Sequence, residues 1–276
     1  VVVMTYLIEL SHQIIRELWA RKLRSLLAMF GIVWGTISVL LLLALGNGFY
    51  AVNKKNMEAL ANGTLFILPG VTSLPYKGYP SGKMLQVKAS DVMHLPNLIF
   101  GVRSVSPDVM VFNVPVRSDQ HFSKEALSGV DSSFASIMKL NIQRGGHFFN
   151  ALDVRQHARV AFLGSKLAQH LFPKTNPVGH QIMLWGLPFR VKGVMAKSDA
   201  GMGGTDHWLQ NKAFIPYSTC IDIKGNLSLT VFYVTPKNVG LSGSIKKQVL
   251  QWMSARYHFD PNDSKAVQVP DLAKMM

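Results

Sequence analysis

The chain has one cysteine, Cys220, so no intramolecular disulfide forms and any folded domain rests on an ordinary apolar core. Acidic residues are also scarce: 15 Asp and Glu stand against 29 Lys and Arg, giving a formal net charge of +14. Motifs for bond-making chemistry are missing. No GxxxxGKS/T occurs, which excludes phosphate cradling and ATP hydrolysis by these residues alone. Gly201-Met202-Gly203-Gly204 has no helical pattern behind it and reads as a loop. No histidine pair has HxxxH spacing; His147, His157, His170, His180 and His207 fall on different elements, and Asp206-His207 is a local pair in a loop. Gly164-Ser165-Lys166 is not G-x-S-x-G, and Ser165 reads better as a helix cap. Asp131 and Asp153 have no visible carboxylate partner. The expectation is a chain with no catalytic residue, no cofactor and no metal.

What the chain does have is LLAMFGIVWGTISVLLLLAL at 26–45, twenty residues without a charge. At ~1.5 Å per residue such a helix spans about 30 Å, the thickness of a bilayer's hydrocarbon core. A signal peptide is a poorer reading, since the run is too long and no A-x-A site follows. A buried core helix rarely stays apolar on every face for so long. We therefore expect a membrane helix at 26–46. Arg16, Arg21, Lys22 and Arg24 precede it and only Lys54 and Lys55 follow within a short flank. The positive-inside rule then places the N-terminus in the cytoplasm and the rest of the chain outside.

Residues 1–25 contribute four basic and two acidic groups, so +12 of the +14 lies beyond the membrane helix. These charges are scattered without interleaved aromatics, which argues against nucleic acid and leaves membrane lipid or envelope polymer as loose partners. Residues 4–24 carry Leu7, Leu10, Ile14, Leu18, Trp19 and Leu23 in an approximate helical stripe. This cytoplasmic segment either lies on the inner membrane surface or extends the spanning helix, and both readings stay open. Arg16, Trp19, Arg21, Lys22 and Arg24 are its candidates for membrane-surface or coupling contacts. Gly31 and Gly35 form a GxxxG pair, which lets a second helix approach closely in lipid.

Beyond the membrane the patterns mix. Strands are expected at 64–70, 102–118 (interrupted by Pro107 and Pro115), 158–164, 212–218, 227–236 and 267–270. A hairpin over 181–195 turns at Gly186-Leu187-Pro188. Helices are expected at 88–95 with Ser90 as cap, at 165–172 capped by Ser165, and at 242–259, where Ile245, Val249, Trp252 and Met253 share a face. Residues 71–83 read as a loop. The class is α+β.

Read in order, several pieces resemble the permeases of the MacB/FtsX-like ABC transporter family. RKLRSLLAMFGIVWG (21–35) is similar to the family's approach to the membrane, and Gly46-Asn47-Gly48 to its exit motif. Phe66-Ile67-Leu68-Pro69-Gly70 is similar to its first external strand. Between 140 and 195, Arg144-Gly145-Gly146-His147-Phe148, Val160-Ala161-Phe162-Leu163-Gly164, Leu171-Phe172, Pro177-Val178-Gly179 and Gly186-Leu187-Pro188-Phe189-Arg190-Val191-Lys192-Gly193-Val194 keep the family's spacing. Ile215-Pro216-Tyr217 and Arg256-Tyr257-His258 complete the set. Ala28, Phe30 and the Gly145-Gly146 pair depart from the pattern. Family members continue past the equivalent of Met276 into three more membrane helices, so the chain reads as the front part of a permease.

The resemblance implies one N-terminal transmembrane helix followed by a two-lobed extracytoplasmic domain. A porter-like α/β lobe comes from 47–112 and 226–276, and a β-rich lobe from 113–225 is inserted in it, with turn-rich crossings near 113–119 and 222–226. It implies a non-catalytic subunit in the cell inner membrane that couples hydrolysis by a separate ABC ATPase to movement of the external domain, for export or efflux. A homodimer or paired permease, and a periplasmic adaptor protein, are the partners implied. The alternative is envelope mechanotransmission to an external enzyme without transport.

Overall fold

The structure, a computed structural model, describes residues 22–60, 63–197, 206–225 and 227–270. The expected surface helix, with Arg16, Trp19 and Arg21, lies outside the described residues except for its last turn, as does the glycine loop at 201–204. The chain divides into two compact units, Val1–Asn53 and Lys54–Met276.

Helix α1, Lys22–Leu60, is 39 residues long, and all but its last seven residues belong to the first unit. At ~1.5 Å per residue it extends about 58 Å, well beyond a bilayer's hydrocarbon core. Its span Met29–Gly46 is apolar enough to cross a membrane, and none of it is buried. Phe30, Val33 and Leu42 stand exposed on different faces, so among the described residues nothing shields this surface. The expected joint at Gly46-Asn47-Gly48 does not interrupt the helix, which continues to Leu60. Interior glycines cost only about 1 kcal/mol each against Ala, and the following AVNKKNMEAL is rich in helix formers.

The second unit is a mixed sheet with helices on both faces. Its strands are β1 (Leu65–Pro69), β2 (Val102–Arg117), β3 (Phe122–Val130), β4 (Val160–Leu163), β5 (Gln181–Leu184), β6 (Leu187–Val194), β7 (Ala213–Pro216), β8 (Val231–Pro236) and β9 (Val267–Gln268). They hydrogen-bond in the order β3-β7-β4-β6-β5-β2-β8-β1-β9, with β3 also paired to β2. The short helices are α2 (Ala89–Met93), α3 (Leu95–Leu98), α4 (Phe134–Ile137), α5 (Ala151–Arg155), α6 (Ser165–Leu171), α7 (Asp206–Leu209) and α8 (Tyr217–Lys224), followed by the longer α9 (Ser242–Tyr257).

Alternation along the strands divides the core. Ile67, Ala161, Leu163, Ala213, Ile215, Phe232 and Val234 point into one cluster, which Val92, Leu167, Leu171, Ile245, Val249 and Met253 cover from the helices. Their neighbours Phe162, Phe214, Val231 and Tyr233 point into a second cluster with Phe134, Phe148 and Phe149. Strands buried on both faces explain why VAFL, AFIP and VFYVTP read as continuous apolar runs.

β2 holds the sheet together. Its first half pairs with β8 and its second half with β3, and Asp108 is opposite both Val231 and Val130. Neither Pro107 nor Pro115 interrupts it, because proline's fixed φ lies within the extended region. The expected crossing near 113 is instead a bulge between Val111 and Val114, with Asn113 at φ +56.

Other local expectations need correction. The β5–β6 turn is Trp185-Gly186, both left-handed at φ +51 and +79, and Leu187 and Pro188 already belong to β6. Gly164, not Ser165, occupies the N-cap of α6, and Lys88, not Ser90, that of α2. The strand expected over 212–218 stops at Pro216, where α8 begins. β3 and α5 had no counterpart in the sequence reading; Asn150 and Asp153 form a reciprocal capping box at the start of α5.

Candidate functional site

Gly31 and Gly35, the helix-packing candidates, both lie within α1. A Cβ added at Gly31 or Gly35 would meet nothing within 4 Å, so the face they share is open. Four residues apart, they lie one above the other on α1. Around them Phe30 stacks on Trp34 at 6.0 Å between ring centroids, and the Thr36 hydroxyl donates to the Ile32 carbonyl at 2.8 Å. That bond leaves no free polar hydrogen at Thr36 on this lipid-length span. Lys22 and Arg24 stand in the first turns of α1, with their side chains outside the described atoms, like all of Arg16, Trp19 and Arg21.

In the second unit the polar side chains serve as ties. Among the described residues no group of three His, Cys, Asp or Glu is placed to hold a metal ion. His157 Nδ1 meets Asp222 Oδ2 at 2.5 Å, joining the end of α5 to α8. Asp153, which had no partner in the sequence, accepts both contacts of the Lys192 ammonium at 2.7 Å. Asp131 accepts from the Ser133 backbone N–H at 2.9 Å. A cleft of about 400 Å³ opens beside the β2–β3 turn, lined by Ser118, His121, Leu171, Phe172, Lys174 and His180. His121 and His170 meet edge to face nearby, at 6.3 Å.

Two buried carboxylates were missed by sequence reasoning. Asp263 sits between α9 and β9 and receives hydrogen bonds from the loop after β1. Its oxygens accept from the Ser73 N–H (2.6 Å) and hydroxyl (2.7 Å), the Leu74 N–H (3.0 Å) and the Lys265 N–H (3.0 Å). Burial pushes this carboxyl up, but the bonds from Ser73, Leu74 and Lys265 together outweigh it and hold the group well below the usual carboxylate range. No spacing signal reveals such a clamp, because Ser73 lies 190 residues away along the chain.

Asp108 is fully buried in β2. The Tyr233 hydroxyl donates to its Oδ2 at 3.2 Å, while its Oδ1 and the Ser128 Oγ have no hydrogen-bond partner. Burial pushes Asp108 up to about 6, against the nearby Lys212 charge and the Tyr233 hydroxyl. Lys212 is itself buried; its ammonium stands 3.7 Å above the Trp208 ring and 3.5 Å from Met110 Sδ. Burial lowers it to about 8, with Asp108 opposing.

The comparisons agree with this geometry. A sequence model described as MacB-like periplasmic core domain matches residues 25–251. The Macrolide export ATP-binding/permease protein MacB of Azoarcus sp. (strain BH72) is 27% identical over 92% of this chain and 38% of its own length. The protein of the same name from Chlorobaculum tepidum is 26% identical over 95% of this chain and 40% of its own. The chain thus spans about two-fifths of the length of these relatives. Among solved structures, the periplasmic region of MacB from Actinobacillus actinomycetemcomitans superposes with a TM-score of 0.63 at 18% identity, covering 80% of this chain and 94% of that one. The extracellular domain of the noncanonic ABC-type transporter YknZ from Gram-positive bacteria gives 0.61 at 19%, covering 75% and 100%. At these identities the superpositions establish the fold alone, that of an α+β domain.

Proposed function

Because this chain belongs to the family of MacB-like periplasmic core domains, we propose that it is the N-terminal part of an ABC transporter permease. In this reading it couples hydrolysis by a separate ATPase chain to movement of its outer domain, for export or efflux. The observation that carries the reading is α1. It runs without proline from Lys22 through the apolar span to Leu60, so a tilt imposed at one end is carried along its whole length. Arg16, Trp19, Arg21, Lys22 and Arg24 would meet the membrane surface or the ATPase on the cytoplasmic side, with the outer domain beyond the inner membrane. A periplasmic adaptor would meet that domain. Its two lobes, 47–112 with 226–276 and 113–225, would share β2 and flex at the Asn113 bulge.

The test is a spin-label distance measurement between outer domains in the full-length, reconstituted transporter, with and without ATP. We expect the distance distribution to shift on ATP binding. An unchanged distribution while ATP is hydrolysed would rule out coupling by movement of this domain. Loss of efflux with the shift retained would favour mechanotransmission to an external enzyme.

A second expectation concerns assembly. The open Gly31/Gly35 face is proposed to pack against a second copy or a further permease helix. Gly31→Leu places a bulky side chain in that contact and should reduce cysteine crosslinking between membrane helices several-fold. Undiminished crosslinking would remove this face from the assembly.

A further inference from the structure

We propose that the bare face of the sheet formed by β3, β2, β5 and β6 is the docking surface for an acidic amphipathic helix of a partner protein. The proposal goes beyond the transport reading and does not depend on it, since every residue it uses lies in the second unit.

Register places the face. Phe122 of β3 is opposite Arg117 of β2, Arg117 is opposite Met183 of β5, and Met183 is opposite Pro188 of β6. Residues opposite one another in a sheet share a face, so these four form one row across four strands. Two residues along on either side, the same face carries Lys124 with Pro115 and Gln181 with Arg190. All eight are exposed, Phe122 by 53% and Met183 by 36%. The residues between them, Val116, Ile182, Leu184 and Phe189, turn the other way into the first core cluster. Here the sheet is packed on one side and uncovered on the other.

Farther along, the same face is covered. Arg190 is opposite Val160 of β4, which belongs to the second cluster. Val154 of α5 packs in that cluster, and Asp153 of the same helix holds Lys192, two residues on from Arg190. Beyond that ion pair the face is bare. A sheet with an apolar row buries it under another layer, and on the rest of this face that layer includes helices. The bare area spans three strand gaps of about 4.8 Å, roughly 14 Å, against a helix diameter of about 10–12 Å. It seats one helix.

Charge selects the occupant. Arg117, Lys124 and Arg190 are the charged side chains of the face, and among the described residues none of them forms an ion pair. Glu125 alternates to the opposite side, where it accepts the Ser123 hydroxyl at 2.6 Å, and Asp119 stands in the turn beyond the row. Cations at two opposite corners and within the apolar row suit a helix whose apolar stripe runs between carboxylates, and they repel a basic partner. A second copy of this chain is a poor occupant on the same ground, with 29 Lys and Arg against 15 Asp and Glu.

The test uses the full chain in phosphatidylcholine nanodiscs and two stapled helices that share a leucine stripe, one flanked by glutamates and one by lysines. Fluorescence anisotropy reads the binding. The glutamate helix should bind about tenfold more tightly than the lysine helix. Lys124→Glu combined with Arg190→Glu should weaken the glutamate helix about tenfold, and Phe122→Ser several-fold. Lys77→Glu, a cation in the loop after β1, should leave it unchanged. If circular dichroism shows that the double variant does not fold, Lys124→Glu alone carries the test, with about a threefold loss. Equal affinity for the two helices, or wild-type affinity in the folded charge variants, overturns the proposal. So does preferential binding of phosphatidylglycerol vesicles through Phe122 and Lys124, which makes the face a lipid surface. A wild-type dimer that Phe122→Ser dissociates overturns it too, since the face is then an interface between copies.

Discussion

Gly164→Val is expected to cost about 3 kcal/mol and to lower the thermal midpoint of the second unit by roughly 10 °C. Gly164 links β4 to α6, where its backbone passes against the segment before β7. A Cβ there would stand 2.3 Å from the Gln210 carbonyl oxygen and 2.4 Å from that of Leu209. Both contacts are backbone atoms, and the Gln210 carbonyl is held by the Lys166 and Leu167 amides, so no side chain can swing aside. Thermal unfolding followed by circular dichroism checks this. A folded variant with the wild-type midpoint would show that β4 and the 209–212 segment can separate without loss. Gly186→Ala is a useful contrast: its added Cβ meets nothing, and only the left-handed φ opposes it.

Asp263→Ala is expected to cost about 3 kcal/mol near neutral pH, because it leaves the Ser73, Leu74 and Lys265 donors without their shared acceptor. The sign of the pH dependence follows from the depressed carboxyl. Its contribution is fully present above the unfolded carboxylate value of about 3.9 and is lost as pH falls through the lower folded value. The stability gap between wild type and variant should therefore hold from about pH 7 to pH 4 and narrow below that. Denaturant titrations at several pH values measure it. A gap that widens on acidification would show that Asp263 is not ionised in the fold.

These two residues differ in how visible they are in the sequence. Gly164 stands in VAFLG, one of the pieces that resemble the permease family, although its reason for being glycine is a backbone approach from a segment 45 residues away. Asp263 sits in PNDS, a stretch that carries no pattern, and its role exists only because the loop after β1 folds back onto it. Ser165 and Ser90 show the reverse case. Both fit the usual chemistry of a cap, yet each lies one or two residues inside its helix, because pairing of the preceding segment determines where the chain turns.

Composition and periodicity alone determined the apolar helix, since twenty uncharged residues can be shielded only by lipid or other protein. They determined α9 too, where Ile245, Val249 and Met253 recur at helical spacing and are all buried. The ordered motifs between 140 and 195 determined the family. Only the tertiary structure decided that β2 is continuous. Both prolines suggest a break, and what carries the strand past them is pairing with β8 on one half and β3 on the other. It also decided that α8 starts directly after β7, because local propensity there is weak and the boundary depends on what the next residue packs against. The buried Asp108 is the furthest from sequence. A lone aspartate in VSPDVM looks like a surface residue, and its burial is the result of three strands and a distant lysine meeting around it, contacts that no window of neighbouring residues contains.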